Sequence, residues 1–369
     1  MTINRKWIDG AKPFEMQSSK IPIKNIYYML AYAFKCLRTG VFKKLSSESF
    51  DNIENLFAEI LILGLRSLVK QGLLRGYEDA SDELSSPHGH LNVSETLKSG
   101  TLLKRKIVCT FDEFTENIEF NRIIKTTCLY LYSLQDVDLE RKMNLRKLMG
   151  NFVKVQPINL HLVDWNKRFN RNNQTYKMLI YVCHWLYLRK IQAEEGGKKI
   201  GKSFYEEREL SNLYEKFVFE FFRQEYSSSF SVNASHIEWQ LDYGSEIDLL
   251  PTMKTDITLQ RNSKILIIDT KYYGEEMQSN REAEKIRSSH LYQIFAYVKN
   301  KAWEMRGAGA VVSGLLLYAK TDAGITLDKN YSMSGNLISV KNLDLNVSFE
   351  DLRKPLDVIA KEFIEKGVS

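Results

Sequence analysis

The sequence predicts an α/β chain, α+β overall: a mainly helical N-terminal domain carrying a β-arm, followed by a mixed sheet flanked by helices. Three observations predict this. Apolar residues recur at helical spacing through most of the first 200 residues. Beyond Leu210 the pattern becomes helix, three strands, helix, strand, helix, an order that layers helices on a sheet. Between the two patterns, Glu194-Glu195-Gly196-Gly197-Lys198-Lys199-Ile200-Gly201-Lys202 is rich in glycine and charge and reads as a linker. The expected domains are 1–195 and 196–369.

In chain order, Lys24–Leu37 sets Ile26, Leu30, Ala33 and Phe34 on one helical stripe. Ile53–Val69 does the same with Ile53, Phe57, Ile60, Leu61 and Leu65. Leu73–Leu84 and Leu103–Phe114 read as extended, with the turn-rich Ser85-Ser86-Pro87-His88-Gly89-His90 between them. A β-arm over about Leu73–Phe114, with a short helix at Val93–Lys98, accounts for this segment. Helices follow at Asn121–Leu134, Leu139–Val153 and Thr175–Ile191. In the second half, Leu210–Tyr226 is a helix. Ile237–Leu241, Thr255–Gln260 and Lys264–Tyr273 are strands, the last two joined by a turn at Arg261-Asn262-Ser263. Asn280–Lys299 is a helix, Val311–Ala319 a buried strand and Asp351–Lys366 a closing helix.

Composition narrows the function classes. A content of 44% hydrophobic and 27% charged residues is ordinary globular usage. The longest apolar runs fall well short of the ~20 residues that span a bilayer. No apolar stretch follows the basic start, so no signal peptide is expected. The four cysteines form no C-x-x-C, which argues against structural zinc and against a disulfide framework. A reducing, cytoplasmic setting is the expectation. The net charge of +6 is an average of unlike halves. Residues 1–200 hold 31 basic and 21 acidic side chains, net +10, and residues 201–369 hold 21 and 25, net −4.

The strongest chemical signal is Ile265-Leu266-Ile267-Ile268-Asp269-Thr270-Lys271. An apolar strand runs straight into two charges. Residues i and i+2 of a strand share a face, so Asp269 and Lys271 project together and Thr270 faces away. Asp256 lies across the hairpin on the preceding strand. Two carboxylates and an ammonium at one sheet edge suit Mg²⁺-dependent phosphodiester cleavage. Carboxylates hold a hard cation, the cation activates water, and the lysine orients the water and stabilises developing charge. This is the D-(x)n-(D/E)-x-K arrangement of nucleases; the plain alternative is a solvated strand end. Glu215, on the helix before the strands, is a candidate third metal ligand, or else an ordinary exposed acid. Gln293 and Tyr297 share a face of the following helix and are candidates for DNA contact, or else part of a half-buried face. Gln-x-x-x-Tyr in this position is similar to the RecB-like nuclease branch. His290, one turn before Gln293, could line the same site.

A rival motif is complete in its letters. Gly196–Ser203 matches G-x-x-x-x-G-K-[ST], the phosphate-cradling P-loop. A P-loop follows a buried strand and opens a helix. Here the preceding Tyr176–Leu188 has helical spacing, and Glu206, Glu207 and Glu209 follow where phosphates would sit. A basic linker is the preferred reading, with a P-loop NTPase as the alternative.

Taken as a whole, the sequence resembles the McrC family, the nuclease subunits of McrBC modification-dependent restriction systems. The resemblance is carried by Ile21–Ala33, Phe111-Asp112, Asn121–Lys125, Leu213–Phe217, Leu249–Thr258, Ile265–Tyr273 and Leu291-Tyr292-Gln293. It implies a C-terminal PD-(D/E)xK endonuclease domain with Asp256, Asp269 and Lys271 at the motif positions. Thr255 stands where the motif's name has proline. It implies a partner, a hexameric McrB-like AAA+ GTPase that binds the GTP, reads the modified cytosine in double-stranded DNA and is stimulated by this chain. The N-terminal domain would dock on that ring, and the arm is the candidate for insertion into it. The expected activity is that of a type IV restriction endonuclease subunit, a component of antiphage defence, with Mg²⁺ as cofactor. Two rival functions fit the same residues: a non-catalytic activator of the ring, and a stand-alone RecB-like repair nuclease.

Overall fold

The computed structural model describes residues 21–35, 50–170, 174–194, 199–243, 248–272, 286–321 and 326–365. They fall into two compact units, one of Asn52–Lys190 and one in which 21–35 join the chain from Ile191 onward. Chain order alone assigns the first helix to the N-terminal domain. It belongs instead to the second unit, because its buried face, with Ile26, Tyr27, Met29 and Leu30, packs on helices from the C-terminal half.

The first unit is helical with a β-arm. Helix α2 (Ile53–Gln71) starts where the Asn52 side chain accepts a hydrogen bond from the Asn55 amide at 2.7 Å, an N-cap that satisfies one of the orphan donors. It buries Leu56, Phe57, Leu61 and Leu65. Helices α4 (Glu119–Ser133), α5 (Leu139–Met149) and α6 (Gln174–Glu194) complete the bundle. The expected arm is present. Strand β1 (Gly76–Leu84) pairs antiparallel with β3 (Ile107–Thr115) over its whole length, and the short β2 (His90–Leu91) adds to β3. Helix α3 (Val93–Ser99) lies in this segment, capped by Asn92, which accepts from the Glu95 amide and donates to the Glu95 carboxylate.

The second unit is a six-stranded mixed sheet between helices. Its strands are β4 (Ser231–Asn233), β7 (Ile257–Arg261), β8 (Lys264–Lys271), β9 (Val311–Lys320), β10 (Asp328–Met333) and β11 (Asn336–Asp344). Their order is β10-β11-β9-β8-β7-β4, with β8 antiparallel to β7 and parallel to β9. Strands β5 (His236–Ile237) and β6 (Met253–Lys254) pair separately, so the expected strand Ile237–Leu241 shrinks to its first residue. Helix α8 (Ser288–Glu304) covers one face, with Ile294 and Val298 on Ile265, Ile267, Val312 and Leu316. Helices α1 (Ile23–Ala33), α7 (Lys199–Glu225) and α9 (Phe349–Glu365) pack with one another, α7 touching β8 and α9 touching β11. The β10–β11 hairpin lies beyond what apolar patterning predicts. Its outer strand is almost wholly exposed and polar and gives no apolar alternation, while Ser334 and Gly335 take the two positive φ values of a tight hairpin turn.

Two sequence features resolve differently. Helix α7 starts at Lys199, so the second half of the expected linker is helical. Helix α6 runs to Glu194, so Gly196 follows a helix and not the strand a P-loop requires; residues 195–198 lie outside the described residues.

Gly314 on β9 sets the distance between sheet and helix. A Cβ there would stand 2.8 Å from both Ile294 Cγ1 and Val298 Cγ2 of α8. Gly314→Ala is expected to destabilise the second unit by about 1–3 kcal/mol, the usual cost of overpacking, measured as a lowered urea midpoint at unchanged slope.

Candidate functional site

Strand β8 is interior to the sheet, and its residues from Ile265 to Thr270 alternate between two covered faces. Ile265, Ile267, Asp269 and Lys271 share the α8 side. A carboxylate is thus carried on the strand that the sheet buries most completely, and Asp269 retains only 1% exposure. Lys271 Nζ forms an ion pair with Asp269 Oδ2 at 2.7 Å. Neither Asp269 oxygen receives a hydrogen bond of regular geometry. Burial, with the neighbouring Asp256 charge adding to it, pushes the Asp269 carboxyl up to about 6 against the pull of Lys271.

Lys271 is held from the helix side. Its ammonium donates to Gln293 Oε1 at 2.9 Å, and Gln293 Nε2 donates to the Tyr297 hydroxyl at 3.0 Å. Gln293 and Tyr297 therefore support the lysine. Tyr297, an expected DNA contact, is buried among Ile294, Val298 and Ile265, with its hydroxyl on Gln293. His290, on the same helix, meets the Tyr318 hydroxyl through Nδ1 at 2.9 Å. Burial and then the Lys271 charge hold its pKa down at about 4, so the imidazole is neutral at physiological pH.

Asp256 stands one residue before β7, across the hairpin from β8 as expected. Its Oδ2 accepts from both the backbone N–H and the hydroxyl of Thr270, each at 2.8 Å. Strand alternation does point Thr270 away from Asp269 and Lys271. The chain bends at Asp256, however, and brings the carboxylate over the strand end to the residue between them. Thr255, in the place of the motif's proline, is buried and locks that bend. Its hydroxyl meets Thr258 Oγ1 at 2.9 Å and accepts from the Ser235 amide at 2.9 Å. Both threonines are contributions that strand periodicity alone does not reveal.

Glu215 lies on α7 and reaches solvent. Its carboxyl is nonetheless raised, first by partial desolvation, then by Asp256, with Asp269 also contributing. The three carboxylates therefore share one electrostatic neighbourhood. Among the described residues no three His, Cys, Asp or Glu side chains lie close enough to form a ready metal cluster. Asp269 Oδ1 has no partner and Oδ2 has only the Lys271 ammonium; as buried, hard oxygen donors they fit a divalent cation.

Fold and site thus define an α/β protein with a carboxylate–lysine centre at the end of an interior strand. The family model "McrBC 5-methylcytosine restriction system component" matches residues 10–319. The chain belongs to that family and is a restriction-system component. It is 29% identical over 360 residues, 95% of its length and 100% of the relative's, to the type IV methyl-directed restriction enzyme EcoKMcrBC of Escherichia coli K12. It is also similar to a solved half-complex of Thermococcus gammatolerans McrB AAA+ hexamers with bound McrC, at 16% identity and TM-score 0.45, over 92% of this chain and 76% of that one. A second structure, the McrBC complex of T. gammatolerans, is similar at 19% identity and TM-score 0.32, over 44% of this chain and 50% of that one. Among the described residues no helix is long and apolar enough to cross a membrane.

The raised Asp269 pKa sets a pH signature. The folded chain holds this proton more tightly than the unfolded chain, whose carboxyl titrates near 3.8. Stability therefore falls as pH rises from about 4 through about 6 and stays lowered above it, by on the order of 3 kcal/mol. Asp269→Asn removes that cost. In chelator it is expected to shrink the fall in melting temperature between pH 4 and pH 8, while loss of the Lys271 ion pair acts on the values themselves. A fall between pH 4 and pH 8 as large as that of the unaltered chain would contradict the burial argument.

Proposed function

We propose that this chain is the Mg²⁺-dependent DNA endonuclease subunit of its restriction system. It cuts phosphodiester bonds when a translocating AAA+ GTPase partner, whose hydrolysis it stimulates, brings modified DNA to it. The observation that carries the reading is the Asp269 carboxylate, buried without a regular hydrogen bond, beside a lysine anchored by Gln293.

Asp269 and Asp256, joined by Glu215, would hold the cation. Bound there, Mg²⁺ supplies Lewis acidity and an activated water. The remaining work falls to the chain itself. Thr270 fixes the Asp256 carboxylate with two hydrogen bonds, leaving it little rotational freedom. Asp269 Oδ2 and Gln293 Oε1 together aim the Lys271 ammonium. A fixed ammonium at this point orients the attacking water and stabilises charge on the phosphate oxygens as it develops, without reorganisation at the moment of reaction. Tyr297 keeps Gln293 in the rotamer that presents its carbonyl to the lysine.

The partner reading is supported by family membership and by the names of the solved relatives, in which McrC is bound to McrB AAA+ hexamers. The β-arm of the first unit is the element proposed to engage the ring, whose subunits bind the GTP and read the modified base. A second reading, a non-catalytic activator, is favoured by one observation: the described carboxylates do not by themselves form a metal cluster.

One assay separates the two. With partner, GTP, methylated DNA and Mg²⁺, the chain is expected to cleave, and chelator to stop it. Asp269→Ala and Lys271→Ala should each lower cleavage by roughly a hundredfold or more while leaving GTPase stimulation intact. Cutting by either purified variant at the unaltered rate would refute the site assignment. Stimulation without Mg²⁺-dependent cutting by the unaltered chain would establish the activator reading.

A further inference from the structure

The first unit holds a second concave site, made of residues the proposed chemistry does not use. The C-terminal turns of α2 and α5 and the turn after α5 line an open groove of about 370 Å³, with Arg66, Lys70, Asn144, Lys147 and Asn151 as its polar residues. It contains three cations and two amides and no carboxylate. Acids are present on and beside these helices; Glu140 stands at the start of α5, away from the groove's lining, and three others are engaged elsewhere. Glu54 pairs with Arg189 at 2.8 Å, Glu59 pairs with Arg141 at 3.3 Å, and Arg141 also binds Asp138. Among the described residues none of Arg66, Lys70 and Lys147 lies within ion-pair distance of a carboxylate.

The groove is shaped as well as charged. Arg66 Nη2 donates to Asn144 Oδ1 at 3.0 Å, which holds one arm of the guanidinium fork and leaves its other N–H groups to project. Helix α5 buries a single residue, Leu145, among its eleven. Its sequence, with Arg141, Lys142, Arg146 and Lys147, serves charge more than packing. Lysines in the last turn of a helix do offset its dipole. That role explains neither the convergence of cations from two helices on one groove nor the amides between them.

We propose that the α2–α5 groove binds the phosphodiester backbone of duplex DNA. The site offers donors and positive charge, the chemistry of phosphate recognition. Most of the exposed lining is apolar, Val69 and Leu148 among it, so the charge sits at the ends of the Arg66, Lys70 and Lys147 side chains; no aromatic residue lines the groove to anchor a protein partner. The inference rests on the reading that DNA is this chain's substrate, and it locates where the basic half meets it.

The test is duplex binding by the full-length chain without Mg²⁺, as a function of salt. The Lys70→Gln/Lys147→Gln double variant is expected to bind roughly tenfold more weakly near physiological salt and to flatten the log–log salt slope by about 2. Arg66→Gln should weaken binding further. A charge-matched control, Lys24→Gln/Lys361→Gln, should bind like the unaltered chain. Three binding results overturn the proposal: no duplex binding by the unaltered chain, equal loss in groove and control variants, or unchanged affinity and slope in the groove variant. Loss of the GTPase partner with DNA binding intact also overturns it and makes an acidic protein surface the occupant. Cleavage run in parallel keeps the two readings apart, because groove-dependent binding without Mg²⁺-dependent cutting would sink the nuclease reading alone.

Discussion

The second unit is organised around a carboxylate that the sheet buries. Asp269 sits on an interior strand, flanked by β7 and β9 and covered by α8, with 1% of its surface exposed. Burying an ionisable group without hydrogen bonds is costly, and an unused carboxylate would be expected to find donors. This one has a lysine alongside and no regular donor. The neighbouring features follow from that constraint. Gly314 lets α8 come close, α8 delivers Gln293, and Gln293 keeps Lys271 over the strand end instead of in solvent.

The second aspartate shows how such a site is built from local geometry. Asp256 could have swung freely at the end of its strand. The bend before it is pinned by Thr255, which joins Ser235 on one side and Thr258 on the other. The carboxylate is then caught by the Thr270 amide and hydroxyl. The residue before Asp256 is a buried threonine that restricts the turn by hydrogen bonding, where a proline would do so by ring closure.

Much of this is legible in the sequence. The strand Ile265–Lys271 declares itself because four apolar residues run into Asp269 and Lys271, and its hairpin partner places Asp256 opposite. The arm is legible from two extended runs around a turn-rich segment. The illegible parts have physical reasons. Alternation along a strand assigns faces but not the bend that turns Asp256 toward Thr270. Exposed, polar β10 has no core-facing residues, so periodicity does not detect it. The membership of α1 in the second unit depends on long-range pairing. Its Asn25 side chain donates to the Leu345 and Val347 carbonyls more than 300 residues away, and no local pattern encodes that. The i,i+4 relation of Tyr297 to Gln293 suggests a surface-directed ring, yet the hydroxyl that holds Gln293 belongs to a ring lodged in the core.

The charge partition follows from the same constraint. A polyanion approaching Asp256, Asp269 and Glu215 meets like charge, and the half that carries these groups is net −4. Lys271 offsets only part of this, because its single charge already faces Asp269. On the proposed reading, attraction for a nucleic-acid backbone is assigned to the first 200 residues, which are net +10. Within that half the charge is not a uniform coat: Arg141 and Arg189 are neutralised by Glu59, Asp138 and Glu54, while the cations at the ends of α2 and α5 are not. Placing attraction on one set of residues and chemistry on another lets each be optimised under opposite electrostatics. On the proposed reading the carboxylates serve as the cation site, and the backbone is gripped without any lysine beyond Lys271 at the strand end that carries Asp269.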